Sequence, residues 1–121
     1  MNILIVEDDQ LISLLLTRLV EKMGYNVVDN VTTGEKAIDI VKETAVDIIF
    51  MDIMLDGKID GITAMEVIQS SKDIPALYIT GNSDAITIKR AQNTVYLDYL
   101  VKPVDRNQLS NICSSYKKKM N

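Results

Sequence analysis

The 121 residues carry 17 acidic and 13 basic side chains, a formal net charge of −4, and 47% apolar content. That is enough chain for one domain with its own core, and the acid excess argues against a general nucleic-acid surface. The single Cys113 excludes an internal disulfide, no segment approaches the ~18 apolar residues of a membrane span, and Met1-Asn2 leads into Ile3-Leu4-Ile5-Val6 without a secretory signal, so a cytoplasmic location is expected.

Ile3 to Val6 reads as a buried strand that ends in Glu7-Asp8-Asp9. Asp9 is expected to cap the helix that follows, in which Ile12, Leu15, Leu16, Leu19 and Met23 recur at helical spacing and Gly24 sits in the C-cap region. Tyr25 to Asp29 is a second strand. Thr32, with Glu35 three residues on, offers a capping box for a helix through Ala37, Ile40 and Val41. The run Val46 to Asp52 is the central strand. Its unbroken apolar stretch Ile48 to Met51 is the pattern of a strand buried on both faces of a parallel sheet, and it stops at a carboxylate. A charge is costly in a core but tolerable at the carboxyl end of a strand, the edge where open α/β sheets bind ligands. Asp52 is therefore the leading functional candidate.

Ile53 to Asp60, with Asp56 and Gly57, is a turn-rich connection past Gly61 into a helix from about Ile62 to Ser70. Pro75 introduces a fourth strand, Ala76-Leu77-Tyr78-Ile79, ending in Thr80-Gly81. Asn82, Ser83 and Asp84 are cap-type residues before a helix that runs to Asn93. Tyr96 to Val101 is a more amphipathic strand, as suits a sheet edge, and finishes at Lys102-Pro103. Asp105 and Gln108 open a last helix that carries Cys113 as a buried or half-buried small hydrophobe and ends in the solvated Lys117-Lys118-Lys119. Five βα units predict one α/β domain over residues 1–121, a doubly wound, five-stranded parallel sheet with helices on both faces.

In such a sheet Glu7-Asp8, Asp52, Thr80 and Lys102 all fall at one edge. In order and spacing they match the receiver domain of two-component response regulators, which the sequence resembles over essentially its full length; Tyr99, three residues before the lysine, matches that family's switch aromatic. The resemblance implies a flavodoxin-like fold with strand order 2-1-3-4-5, the order found in chemotaxis receivers. It also implies that Asp52 takes a phosphoryl group from a histidine kinase or phosphotransfer protein. Asp8, Asp52 and the Met54 carbonyl would bind a divalent cation directly, Glu7 would act through water, and Lys102 and Thr80 would bind phosphoryl oxygens.

Two further expectations attach to the resemblance. Thr80 and Tyr99 would switch an output partner bound at the face of the fourth helix, fifth strand and fifth helix, with the chain a monomer or a phosphorylation-dependent dimer. Met54 and Asn82, each two residues past a site residue, would tune the lifetime of the phosphoryl group. The residues support the cation independently. Carboxylates gathered at one edge repel by ~4 kcal/mol per pair at 4 Å and an effective dielectric near 20, and all-oxygen ligation in a chain without histidine favours magnesium or manganese.

The chain departs from the family where Asp56 replaces a common proline, where Asp60-Gly61 lies one residue further from Asp52 than in the shortest loops, and where Val95-Tyr96 replaces a Gly-Ala pair. Other classes fit less well. A haloacid-dehalogenase-type phosphatase needs an acid two residues after its nucleophile, and that place is Met54. A degenerate receiver, serving only as an interaction module, would not need the full set Glu7, Asp8, Asp52, Thr80 and Lys102. Thr33-Gly34-Glu35-Lys36 lacks the spacing of a nucleotide-binding loop. No DNA-binding or enzymatic output is expected within this stretch.

Overall fold

A computed structural model describes residues 1–120. Strands β1 (Asn2–Val6), β2 (Asn26–Val31), β3 (Ile48–Met51), β4 (Ala76–Thr80) and β5 (Tyr96–Val101) alternate with helices α1 (Gln10–Lys22), α2 (Gly34–Glu43), α3 (Gly61–Gln69), α4 (Ala85–Ala91) and α5 (Arg106–Met120). The strands form one sheet in the order β2-β1-β3-β4-β5, all parallel. The expected doubly wound topology is thus observed, with the amphipathic fifth strand at an edge.

Alternation along the strands divides the core in two. Leu4, Val6, Ile49, Met51, Ala76 and Tyr78 point to one face, where they pack on Ala37 and Val41 of α2, Ile62, Met65 and Ile68 of α3, and Ala91 of α4. Ile3, Ile5, Ile48, Phe50, Leu77 and Ile79 point to the other, against Leu16 and Val20 of α1 and Leu109 and Cys113 of α5. All four residues of β3 are buried because it serves both cores in turn. Each fully buried aliphatic or aromatic side chain contributes ~1.5–3 kcal/mol. Phe50→Ala, which opens a hole between the ladder partners Ile5 and Leu77 on the α1/α5 side, should cost ~3–5 kcal/mol.

Helix starts follow side-chain chemistry, with one correction. Asp9 Oδ1 accepts from the amides of Leu11 and Ile12, Asp60 caps α3 through Thr63 N, Asp84 caps α4 through Thr87 N, and Asp105 Oδ1 accepts from Asn107 and Gln108. For α2 the cap is Thr33, which accepts from Lys36 N at 3.1 Å, and not Thr32. Glu35 closes no capping box, because its carboxylate turns instead to Lys58 N at 3.0 Å. Strand β2 begins one residue later than the sequence pattern suggests and runs on to Val31, and β3 is the shorter Ile48–Met51. At the Val95-Tyr96 departure, Gln69 supplies the local order: its amide nitrogen donates to the carbonyls of Ile74 and Val95, and its oxygen accepts from Val95 N.

Candidate functional site

Backbone bonds carry the parallel ladders one residue past the strands and fix the site positions. Glu7 N donates to Val31 O at 3.0 Å, Asp52 N to Val6 O at 3.0 Å, and Lys102 N to Thr80 O at 2.9 Å. The carboxyl ends of β1, β3, β4 and β5 thereby bring Glu7, Asp8, Asp52, Thr80 and Lys102 to one edge. One oxygen from each of Glu7, Asp8 and Asp52 lies within 4.8 Å of the others; Glu7 and Asp52 are buried and Asp8 is half-buried.

A single ammonium answers these carboxylates. Lys102 Nζ lies 2.8 Å from Asp52 Oδ2 and 2.5 Å from Glu7 Oε1. The first contact is a hydrogen bond, whereas the second has the distance of an ion pair without the angle of a hydrogen bond, which leaves Glu7 Oε1 a buried oxygen with no hydrogen-bond partner among the described residues. Burial pushes the Glu7 carboxyl up to about 7, against the lowering effects of Lys102 and the Asp9 amide, and nearby Asp52 adds to the rise. Burial opposes the Lys102 charge, yet the hydrogen bond to Asp52 and the close Glu7 carboxylate outweigh it and hold the lysine above its ordinary value. The three carboxylates form an all-oxygen set that fits a hard divalent cation, and the ammonium beside them offsets part of their charge without being a ligand.

The rest of the site is a relay of short contacts. Thr80 is fully buried, and its hydroxyl oxygen accepts from Asn82 N at 3.3 Å, a bond that leaves the hydroxyl proton unused. Asn82 O in turn accepts from the Tyr99 hydroxyl at 2.6 Å. Tyr99 is half-buried, its ring tilted against Tyr78 with centroids 6.0 Å apart. The Asn82 side chain is turned to its own loop, where its oxygen accepts from Asp84 N at 2.9 Å. The Met54 side chain is 65% exposed.

Two contacts were invisible to spacing arguments. A β-carbon on Gly61 would stand 2.0 Å from Asp52 O and 2.8 Å from Met51 Cγ, so only glycine lets the start of α3 approach the backbone of Asp52. Asp60, besides capping α3, takes a two-pronged bond from Arg90 of α4 at 2.8 and 3.3 Å. Burial works against the Asp60 charge, but Arg90 and Thr63 N prevail and hold the carboxyl below its ordinary value. The Asp60-Gly61 pair beside a helix start was the only sequence signal for either contact.

A parallel sheet in this order, with acids after β1 and β3 and a lysine after β5, defines an α/β domain of the kind used in two-component signalling. A family profile, the response regulator receiver domain, matches residues 3–114, and the chain belongs to that family. It is 30% identical over 108 residues to the transcriptional regulatory protein PdtaR of Mycobacterium tuberculosis, a match covering 89% of this chain and 52% of that protein. Over 109 residues it is 34% identical to the transcriptional regulatory protein ZraR of Escherichia coli, covering 89% of this chain and 24% of that one. The chain thus spans about half, or less, of the length of these curated relatives.

Among solved structures, a two-component response regulator from Clostridium difficile superposes with a TM-score of 0.91 at 28% identity, covering 99% of this chain and 98% of that one. The receiver domain of a Pseudomonas aeruginosa sensor histidine kinase, solved with a magnesium ion coordinated in its active-site cleft, gives a TM-score of 0.84 at 26% identity, with 95% of each chain covered.

Proposed function

We propose that this chain is a magnesium-dependent phosphoacceptor, which takes a phosphoryl group onto Asp52 from a histidine kinase or phosphotransfer protein in the cytoplasm and so changes its affinity for an output partner. The observation that carries the reading is the Lys102 ammonium bonded to Asp52, with the Glu7 and Asp8 carboxylates gathered within 4.8 Å. Membership of the receiver family supports it.

In the transfer, an Asp52 carboxylate oxygen attacks phosphorus as the bond to the donor imidazole nitrogen breaks, and the imidazole leaves with its electron pair and is protonated. Asp8, Asp52 and the Met54 carbonyl would hold Mg2+ or Mn2+, with Glu7 acting through water. That cation would neutralise charge between the carboxylates and the incoming phosphoryl group. Lys102 exchanges its bond to the Asp52 carboxylate for one to a phosphoryl oxygen. Thr80 donates its hydroxyl proton to another, in preference to accepting from Asn82 N.

That exchange connects chemistry to output. Drawing Thr80 toward the phosphoryl group perturbs Asn82, whose carbonyl holds the Tyr99 hydroxyl. Phosphorylation then biases a pre-existing equilibrium of Tyr99 at the face of α4, β5 and α5, with Tyr99 more exposed in the unphosphorylated state, and a partner or a second copy reads that face. Resonances of Thr80 and Tyr99 followed by NMR with Mg2+ and beryllofluoride test this. Shifts at both are expected, and unchanged Tyr99 resonances would contradict the switch.

A further inference from the structure

The first turn of α2 holds the loop that leaves Asp52, residue against residue. Thr33 makes an isolated parallel bridge to Asp56. Gly34 leaves room for Ala64 of α3 and for Ile59 of the loop, whose Cβ and Cγ1, respectively, would lie 2.8 and 3.1 Å from a β-carbon there. Glu35 Oε2 accepts from Lys58 N at 3.0 Å, while Oε1 is shielded from solvent and without a hydrogen-bond partner among the described residues. A β-carbon on Gly57 would come within 2.7 Å of that Oε1, and Gly57 has φ +93°, so Gly57 both makes the turn and admits the carboxylate.

Neither composition nor spacing gave Thr33-Gly34-Glu35 a task beyond starting a helix, yet Thr33 and Glu35 each bond a residue of one loop and Gly34 lets that loop and α3 approach. The far end of that loop is fixed separately, by Gly61 against Asp52 O. Met54 lies in the stretch from Asp52, against whose carbonyl Gly61 packs, to Asp56, the first loop residue paired with the start of α2.

We infer that Glu35 is a positioning residue for the phosphoacceptor site, which sets the path of the Ile53–Asp60 loop through Lys58 N and thereby aims the Met54 carbonyl at the cation. The inference rests on the functional reading above. A carboxylate in the first turn of a neighbouring helix does here what ring closure does in a proline-bearing loop: it removes alternative backbone paths before the cation arrives. Partners of direct ligands typically change metal affinity by roughly 10–100-fold. Glu35 acts at a greater remove, and about a threefold to tenfold loss is expected.

The test compares wild type, Glu35→Ala and Glu35→Gln, using Mg2+ alone. Glu35→Ala should weaken Mg2+ binding, measured by calorimetry, and speed exchange of the Lys58 amide by about tenfold, while amides in β1 and β4 exchange as in wild type. Glu35→Gln keeps an oxygen that can accept from Lys58 N and should restore slow exchange and most of the affinity. A merely structural role for Glu35 would lower the unfolding temperature without this pattern. Mg2+ affinity in Glu35→Ala equal to wild type, or an unaltered Lys58 amide, overturns the inference alone. A wild-type chain that binds no Mg2+ overturns the functional reading and this inference together.

Discussion

Replacing Lys102 by methionine removes the ammonium that Glu7 and Asp52 share while keeping much of the side chain's bulk. The two carboxylates then face each other across no more than 4.8 Å. At ~4.8 Å and an effective dielectric near 20, two full charges repel by about 3.5 kcal/mol. Removing one partner of a buried ion pair costs a similar ~3–5 kcal/mol. Two features of this site reduce the figure. The Lys102 side chain keeps 19% of its surface in water, and Glu7, already raised to about 7, can take a proton rather than stay charged beside Asp52. The expected loss is about 2 kcal/mol at about pH 7.5 without divalent cation.

Its pH dependence has a definite sign. Glu7 titrates in the folded chain at about 7, above its ordinary 4.5, so folding binds a proton and stability declines as pH rises between those values. Without the Lys102 charge that titration moves higher still, so the gap between variant and wild type is small near pH ~5.5 and widens above pH ~7. Mg2+ should stabilise the variant more than wild type, since no ammonium then competes for the carboxylates. Urea unfolding followed by circular dichroism measures all three effects. A gap under about 0.5 kcal/mol, or one that is the same at pH ~5.5 and ~8, refutes the reasoning.

Gly61→Ala puts a methyl group against Asp52 O and should cost about 3 kcal/mol or more, read by the same unfolding assay; a variant as stable as wild type contradicts the close approach. Arg90→Ala should cost only ~0.5–1 kcal/mol, because the arginine is 44% exposed, and the cost should shrink at high salt. Asp60→Ala loses the α3 cap as well and should cost ~1–2 kcal/mol; equal effects of the two would contradict this division. Met54→Asn should speed loss of the phosphoryl group in single-turnover assays while leaving its formation intact, since a thioether is a weak acceptor that cannot orient the attacking water. An unchanged or slower rate would show that Met54 does not guard that water.

Most of the fold was legible because the apolar pattern and the turn chemistry agreed. Ile48 to Met51 reads as a doubly buried strand because it faces two cores, and Asp9, Asp84 and Asp105 read as caps because short carboxylates meet helix amides wherever they precede a helix. The gathering of Glu7, Asp8, Asp52, Thr80 and Lys102 followed from parallel topology alone. The choice between Thr32 and Thr33 did not. Both are adequate caps, and Glu35 looked like the returning half of a box, yet it is taken by a loop 23 residues away. Contacts between distant segments, such as Gly61 on Asp52 or Arg90 on Asp60, leave no periodicity in the chain. They are settled by how closely packed elements approach, which local pattern does not encode.

The central claim is that Asp52 accepts phosphoryl groups in a site completed by a divalent cation and Lys102. Intact-mass spectrometry after treatment with acetyl phosphate tests it most directly, on wild type with Mg2+, on wild type with EDTA, and on Asp52→Asn with Mg2+. One added phosphoryl group is expected in the first sample and none in the other two. An Asp52→Asn chain that gains the group as readily as wild type would contradict the account.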